Sequence, residues 1–189
     1  MSPELTSLSD NSGVIIVTGA DFIRVLSRWP QLAGRYWWDD PQRPDLGCFG
    51  TGYNSWGVQT NQKFLGAYGV LATDTDLDEA AAGCTRDEIL DKALRALRFS
   101  LASHVSGDHH CSDGTQWGHT WISTLGIERM MHGVEALQPH LTDSDREGLR
   151  RMLVSEADAL LELPITGTKW AADGGNRTES NIWNGATLW

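Results

Sequence analysis

Tryptophan stands at three places where a loop gives way to an apolar segment, in the stretches NSWGVQT, TQWGHTW and NIWNGAT. In each stretch a polar residue stands one or two positions before the tryptophan, Gly or Asn follows it, and the first turn of a predicted helix comes next. An indole ring offers a flat apolar face together with one N–H donor. Trp56, Trp117 and Trp183 are therefore predicted to line a groove for a flat-faced ligand such as a sugar ring.

The spacing of these three tryptophans predicts a repeated unit. They lie 61 and 66 positions apart (117 minus 56 and 183 minus 117). A period near sixty holds two helices and two loops, which is typical of an array of helical hairpins. Chance is the alternative explanation, because the chain has nine tryptophans. Such an array forms an α-solenoid or closes into an (α/α) toroid, in which the loops before the inner helices meet at one cleft.

The stretch ESNIWNG, the loops GYNSWG and TQWGHTW and the hairpin spacing resemble the (α/α)-toroid polysaccharide lyases of the heparinase II/III and chondroitin or alginate lyase type. The resemblance covers the last two-thirds of the chain and implies β-elimination of a glycan that contains uronate. In such families an Asn near a Trp neutralises the uronate carboxylate, a His or Tyr removes the C5 proton, and a Tyr protonates the leaving oxygen. This sequence departs from the pattern, since no Tyr follows Asn181 and no β-sandwich segment follows the helices.

The chemistry of that reaction explains the residue types. A proton beside a carboxylate is removed only when the carboxylate charge is suppressed, and an amide such as Asn181 donates without titrating. The base needs a pKa near neutrality, which favours histidine. His119 is the first candidate, because it lies between Trp117 and Trp121 at the first turn of a predicted helix, whose N-terminus lowers the pKa of an imidazole. Tyr53, in the matching loop, is the candidate acid.

The predicted substrate-binding residues share a position in or beside the junction loops: Trp56, Trp117, Trp121, Trp183, Asn54, Gln59 and Glu179. Structural roles compete with these assignments. Asn181 is equally suited to cap a helix. His119 is suited to a core or capping position. Tyr53 and the tryptophans are suited to packing one hairpin on the next.

Two other functions fit the same pattern. Toroids also occur in glycoside hydrolases, which use two carboxylates flanking the scissile bond. Asp113, Asp173 and Glu179 lie in loops on the predicted cleft side, and Glu179 near Trp183 is the candidate acid. A non-catalytic helical-repeat scaffold that docks a partner on its tryptophan faces is the third possibility.

Composition excludes several classes of protein. The 189 residues suffice for one domain with a core, and the net charge of −10 argues against nucleic acid as a partner. The sequence has neither a secretory signal nor a run of about 20 apolar residues, so a cytoplasmic protein without a membrane partner is expected. Three widely spaced cysteines predict reduced thiols. Adjacent residues such as 108–110 (Asp-His-His) rarely chelate one ion together, so neither a metal nor a cofactor is predicted.

The expected fold is all-α, with six or seven helices from helical hairpins. Residues 1–13 are predicted to be a disordered lead, and 14–189 an incomplete (α/α) toroid domain. Residues 31–57 read as a long loop, and VIIV at 14–17 is the only strand-like run. The helix starts are predicted from these signals: a helix over 20–28 before Pro30, an N-cap at Thr60 or Asn61, capping boxes Thr85–Glu88 and Thr142–Asp145, and a helical period over 119–138.

The last stretch, ESNIWNGATLW, reads as the start of an inner helix whose continuation is missing. It predicts that the chain is a fragment of a longer protein. Apolar residues there would lack a covering neighbour, so self-association through this helix is expected.

Overall fold

The computed structural model describes residues 17–162. The predictions for the disordered lead, for most of the VIIV run and for the C-terminal residues Asp173, Glu179, Asn181 and Trp183 lie outside that range. Within it the chain is mostly helical, which confirms the all-α prediction. The helices are α1 (Gly19–Leu26), α2 (Pro30–Ala33), α3 (Trp56–Thr73), α4 (Glu79–Ala82), α5 (Arg86–Ala102), α6 (Trp121–Ala136) and α7 (Asp143–Leu161).

Both predicted capping boxes are present. In α5 the Thr85 N–H donates to a carboxylate oxygen of Glu88 at 2.7 Å, and the Glu88 N–H donates back to the Thr85 hydroxyl at 3.3 Å. In α7 the equivalent Thr142 and Asp145 bonds are 3.0 and 3.1 Å long. Each box satisfies N–H groups that the first turn of a helix otherwise leaves unpaired.

The predicted loop over 31–57 contains a small antiparallel hairpin, so that prediction was wrong. Its strands are β1 (Trp37–Asp39) and β2 (Gly47–Phe49), with Trp37 opposite Phe49. β2 is buried along its whole length and lies against α5. Strands of three residues give too short an alternation of polar and apolar residues to be recognised in a stretch rich in Gly, Pro and Asp.

The predicted N-cap of α3 at Thr60 or Asn61 was also wrong, because the helix begins earlier, at Trp56. Asn61 is fully buried and joins three elements. Its side-chain oxygen accepts the Phe49 N–H of β2 at 2.8 Å, and its amide donates to the Ala96 carbonyl and the Ser100 hydroxyl of α5, each at 3.0 Å. Asparagine often caps helices, but here its buried side chain links β2, α3 and α5 through hydrogen bonds.

Helices α3 and α6 run parallel and in close contact. The ring of Trp56 meets that of Trp121, Gly66 lies against the backbone at Met130, and Gly69 lies against Gly133, so the contacts advance together along both helices. A Cβ atom on Gly69 would lie 2.6 Å from the Gly133 carbonyl oxygen, which shows how near the two backbones are. Their N-termini therefore lie on the same side of the molecule.

The neighbouring helices complete this arrangement. α5 runs antiparallel to α3, since Arg86 at its start donates to the Ala72 carbonyl near the end of α3 at 2.9 Å. α5 and α7 run parallel, because Arg98 contacts Asp145 and, further along, His104 contacts Glu156. The arrangement is the one expected of successive helical hairpins, and closure into a toroid remains a prediction. In the stretch from 17 to 162, no helix has the length and apolar character to cross a membrane.

Candidate functional site

The loops that precede α3 and α6 lie side by side and are hydrogen-bonded to each other. The Asn54 N–H donates to the Asp113 carboxylate at 3.0 Å, the Asn54 side-chain amide donates to the Gln116 carbonyl at 3.0 Å, and the Ser112 N–H donates to the Gly52 carbonyl at 3.0 Å. Both the backbone and the side-chain amide of Asn54 thus hold the two loops together. Asn54, a predicted substrate-binding residue, has a structural role here.

Four exposed side chains that carry rings lie at these helix starts, on what we call the junction face: Tyr53, Trp56, His119 and Trp121. Trp56 and Trp121 are the first residues of α3 and α6. Their rings meet edge to face, with centroids 5.6 Å apart and planes at 79°. The two residues are 55% and 37% exposed, and Tyr53 is 55% exposed. Three aromatic side chains are therefore accessible to a ligand from solvent.

The equivalence that the sequence suggested between Trp56 and Trp117 was wrong. Trp117 is 2% exposed, its indole N–H donates to the Ser100 carbonyl at 2.8 Å, and its ring packs on that of His104. It is a core residue and does not line a surface groove. The residue equivalent to Trp56 is Trp121, 65 positions later (121 minus 56), because α6 starts four residues after Trp117.

Gln59 likewise does not reach the junction face. It is 1% exposed, inside α3, and among the described residues its side-chain nitrogen has no hydrogen-bond partner. Its burial prevents direct contact with a ligand at the surface, so the predicted substrate-binding role of Gln59 is not supported by its position.

His119 is exposed, but it lies outside α6 rather than in its first turn. The N-cap is Thr120, and His119 precedes it in a left-handed conformation, with φ of 56°. Its backbone N–H donates to Oε1 of Glu156 at 2.6 Å, and its Nε2 lies 2.9 Å from the Ser155 hydroxyl. The argument from a helix N-terminus therefore does not apply to this imidazole.

A buried histidine and carboxylate lie directly beneath His119. His104 and Glu156 are both fully buried, and Nε2 of His104 is 2.9 Å from Oε1 of Glu156. Nδ1 of His104 accepts the Ser106 N–H at 3.1 Å, which places the imidazole proton on Nε2, from which it is donated to Glu156. The second oxygen of Glu156, Oε2, has no hydrogen-bond partner in the described part of the chain.

A cavity of ≈ 400 Å³ opens beside His119 on the α7 side. Its lining includes Ser106, Ser155, Asp158 and two cationic residues, Arg150 and Arg151. Arg150 is also paired with Glu147 at 2.7 Å. Asp158 and Glu162 also line the cavity, so groups of both charges lie beside the exposed imidazole.

Asp113, one of the carboxylates considered for a glycoside hydrolase, is poorly suited to donate a proton. Partial desolvation acts to raise its pKa, but the hydrogen bonds from Thr115 and Asn54 outweigh that effect and leave the pKa below its ordinary value. The general acid of a glycosidase needs a raised pKa. Asp113 is instead an ionised acceptor that fixes the loop.

The residues of the 108–110 stretch point to different partners. Asp108 pairs with Arg43 at 3.3 Å, and Nε2 of His109 lies 2.8 Å from a carboxylate oxygen of Asp40. His110 is exposed. Asp108 and His109 thus form separate contacts between this loop and the region after β1.

Sequence reasoning missed His104 and Glu156. Neither residue stood out in the sequence as a candidate for a site. A signal was present, since Met152, Glu156 and Leu160 follow each other at intervals of four and are all buried. A carboxylate within an apolar stripe of a helix must have a buried partner.

Comparison with known proteins gives no relative for this chain: it matches no protein-family model, no curated protein and no solved structure.

Proposed function

We propose that this chain is a carbohydrate-active protein that binds a uronate-containing polysaccharide on the junction face and cleaves it by β-elimination. The observation that carries the proposal is the exposed edge-to-face pair of Trp56 and Trp121 at the starts of two parallel helices. Exposed apolar patches commonly mark interaction sites. Two indole rings at an angle offer stacking surfaces to successive sugar rings.

Two guanidinium groups near His119 provide donors for the carboxylate of an acidic sugar. Arg150 and Arg151 line the cavity beside it, and guanidinium groups bind carboxylates through paired N–H donors. A uronate carboxylate held there would place its ring within reach of the exposed imidazole. The net charge of −10 disfavours the binding of polyanions in general, so the proposed binding of a uronate depends on these two arginines.

In the proposed reaction, His119 accepts the C5 proton of the uronate and the electron pair forms the C4–C5 double bond. The C4–O bond breaks, and the leaving oxygen takes a proton from Tyr53. The amide of Asn181, which lies outside the described residues, is proposed to stabilise the charge that builds on the carboxylate. The products are an unsaturated uronate and a shortened chain.

The experiment is to incubate the purified chain with alginate, chondroitin, heparan and a neutral glucan, and to measure ultraviolet absorption and reducing ends in parallel. A lyase produces new reducing ends together with the absorption of an unsaturated uronate. Reducing ends without that absorption would assign the chain to the glycoside hydrolases instead. Retention of a glycan with neither product would make it a binding scaffold.

A further inference from the structure

We propose that His104, His119 and Glu156 form a binding site for a divalent transition-metal ion of the zinc type. One ligand atom from each of the three residues lies within 4.8 Å of the other two. His104 Nε2 and Glu156 Oε1 are 2.9 Å apart, whereas two ligands at about 2.0–2.2 Å from a tetrahedral zinc ion are about 3.3–3.6 Å apart, so these two side chains separate slightly when the ion binds. Two histidines and one carboxylate are a common ligand set for such metals.

The independent observation is the unpartnered oxygen of Glu156. Oε2 is fully buried without a hydrogen-bond donor among residues 17–162, although Oε1 accepts from both His104 and the His119 backbone. A carboxyl oxygen buried without a partner is unfavourable. A cation bound at Oε2 would supply the missing partner.

The surrounding residues hold the imidazoles in suitable positions. Ser106 Oγ lies 2.7 Å from Nδ1 of His104, so this ring has a polar neighbour of the kind that orients metal ligands. Gly118, with φ of 139°, lets the loop pass directly over the His104 ring, because a Cβ there would be 2.7 Å from Nε2. The loop thus brings His119 over the buried pair.

Binding requires a tautomer change and a small movement. His104 transfers its proton from Nε2 to Nδ1, which then donates to Ser106 Oγ, while the freed Nε2 lone pair binds the metal. The cost is two hydrogen bonds, the one that the Ser106 N–H donates to Nδ1 and the one that Nε2 donates to Glu156. His119 is exposed, so its ring can leave Ser155 and close the distance to Glu156.

The site is open on one side. His119, Ser106 and Ser155 also line the cavity described above, which gives an ion a route from solvent. Three protein ligands leave at least one coordination position for water or for an anionic ligand. This inference goes beyond the proposed function. A metal bound by His119 would occupy the imidazole lone pair that β-elimination needs, so zinc is expected to inhibit a reaction in which His119 is the base.

The test is a titration of the chelator-treated full chain with Zn²⁺, followed by calorimetry and by competition with a chromogenic chelator, without any glycan. We expect one zinc ion per chain. Loss of a residue that only orients a metal ligand costs roughly 10–100-fold in metal affinity. Because His119 and Glu156 are proposed as direct ligands, His119→Asn and Glu156→Gln should each weaken zinc binding by more than that. Asn tolerates the left-handed conformation of His119, and Gln preserves an acceptor for the two donors at Glu156.

Matched controls are His110→Asn and His132→Asn, which remove exposed histidines outside the cluster. Both should bind zinc as the parent does.

Co²⁺ should give visible bands without the charge-transfer absorption of a thiolate, because no cysteine belongs to the cluster. Absence of stoichiometric binding, binding that survives His119→Asn, or a thiolate band would each overturn the proposal. If circular dichroism shows that Glu156→Gln is unfolded, zinc binding by His119→Asn alone decides whether the site exists. A glycan-cleaving protein without zinc binding would refute this site and leave the proposed function standing.

Discussion

Trp56 and Trp121 begin two parallel helices and meet edge to face, with ring centroids 5.6 Å apart. The contact exists because α3 and α6 start at the same level, and it leaves both rings partly open to solvent. It relates two equivalent positions of successive helical hairpins, and it is also the aromatic centre of the junction face. Structural repetition and the proposed binding surface thus have the same origin.

Removal of one indole should separate ligand binding from folding. We expect Trp56→Ala to weaken retention of the bound polysaccharide in affinity electrophoresis at least tenfold, because aromatic contacts often dominate recognition. The melting temperature should change little, since more than half of the side chain is exposed. Tyr36→Ala, an exposed aromatic in the turn before β1, is the control. Equal retention by the parent and Trp56→Ala would remove the basis for a glycan-binding face.

The close approach of α3 and α6 should depend on glycine at the crossing. Gly69→Ala would bring a Cβ to 2.6 Å from the Gly133 carbonyl oxygen, so one backbone must move. We expect the free energy of unfolding in urea to fall by about 1–3 kcal/mol, the usual cost of overpacking. Gly19→Ala in α1 is the matched control, because its Cβ would meet nothing within 4 Å. The packing described here would be wrong if the two variants were equally stable.

The buried amide of Asn61 should stabilise the β1–β2 hairpin. Asn61→Leu leaves the Phe49 N–H without its acceptor, and an unsatisfied buried donor costs about 1–3 kcal/mol. We expect that loss in chemical denaturation, together with faster amide exchange at Phe49. Thr60→Ala is the neighbouring control, since the Thr60 hydroxyl bonds only within its own helix, to the Trp56 carbonyl. Unchanged amide exchange at Phe49 would contradict the stabilising role of the Asn61 side chain.

Sequence patterns predicted the helices whose signals are local. The capping boxes at Thr85 and Thr142 involve residues three positions apart, so they are readable without a structure. Asn61 was mistaken for a cap because its partners, on β2 and α5, are 12 and more positions away. Trp117 and Trp56 have similar neighbours in sequence, yet Trp117 is buried because the chain turns at Gly118 and His119, both with positive φ. The site residues His104 and Glu156 are 52 positions apart and meet only through the parallel packing of α5 and α7.

Acid should weaken the contact between α5 and α7 at Asp145. Burial alone would raise the pKa of this carboxyl, but the hydrogen bonds from Arg98, at 2.9 and 3.1 Å, and from Thr142 outweigh it and lower the pKa. Since the folded-state pKa is depressed, the stabilisation is present above the unfolded-state value of about 3.9 and is lost as the pH falls through the folded-state value. We expect Asp145→Asn to cost about 2 kcal/mol at neutral pH.

The difference between the parent and Asp145→Asn should shrink below about pH 4, as the parent carboxyl becomes protonated. Urea denaturation at several pH values measures it. Asp143→Asn, which removes an exposed carboxylate at the start of the same helix, should change stability by less than about 0.5 kcal/mol. A difference at Asp145 that stays constant into acid would exclude an ionic contribution.

Substitution of His119 tests the proposed reaction most directly. His119→Asn keeps a residue type that tolerates positive φ and retains the backbone N–H to Glu156, so the fold should persist with a similar melting temperature. Loss of a general base typically lowers the rate about 10²–10⁴-fold. We expect that loss in lyase assays run with a chelator present, so that a bound metal does not mask the imidazole. His132→Asn on α6 should retain full turnover. Full turnover by His119→Asn with a lowered melting temperature would instead assign His119 the structural task of closing the loop over Glu156.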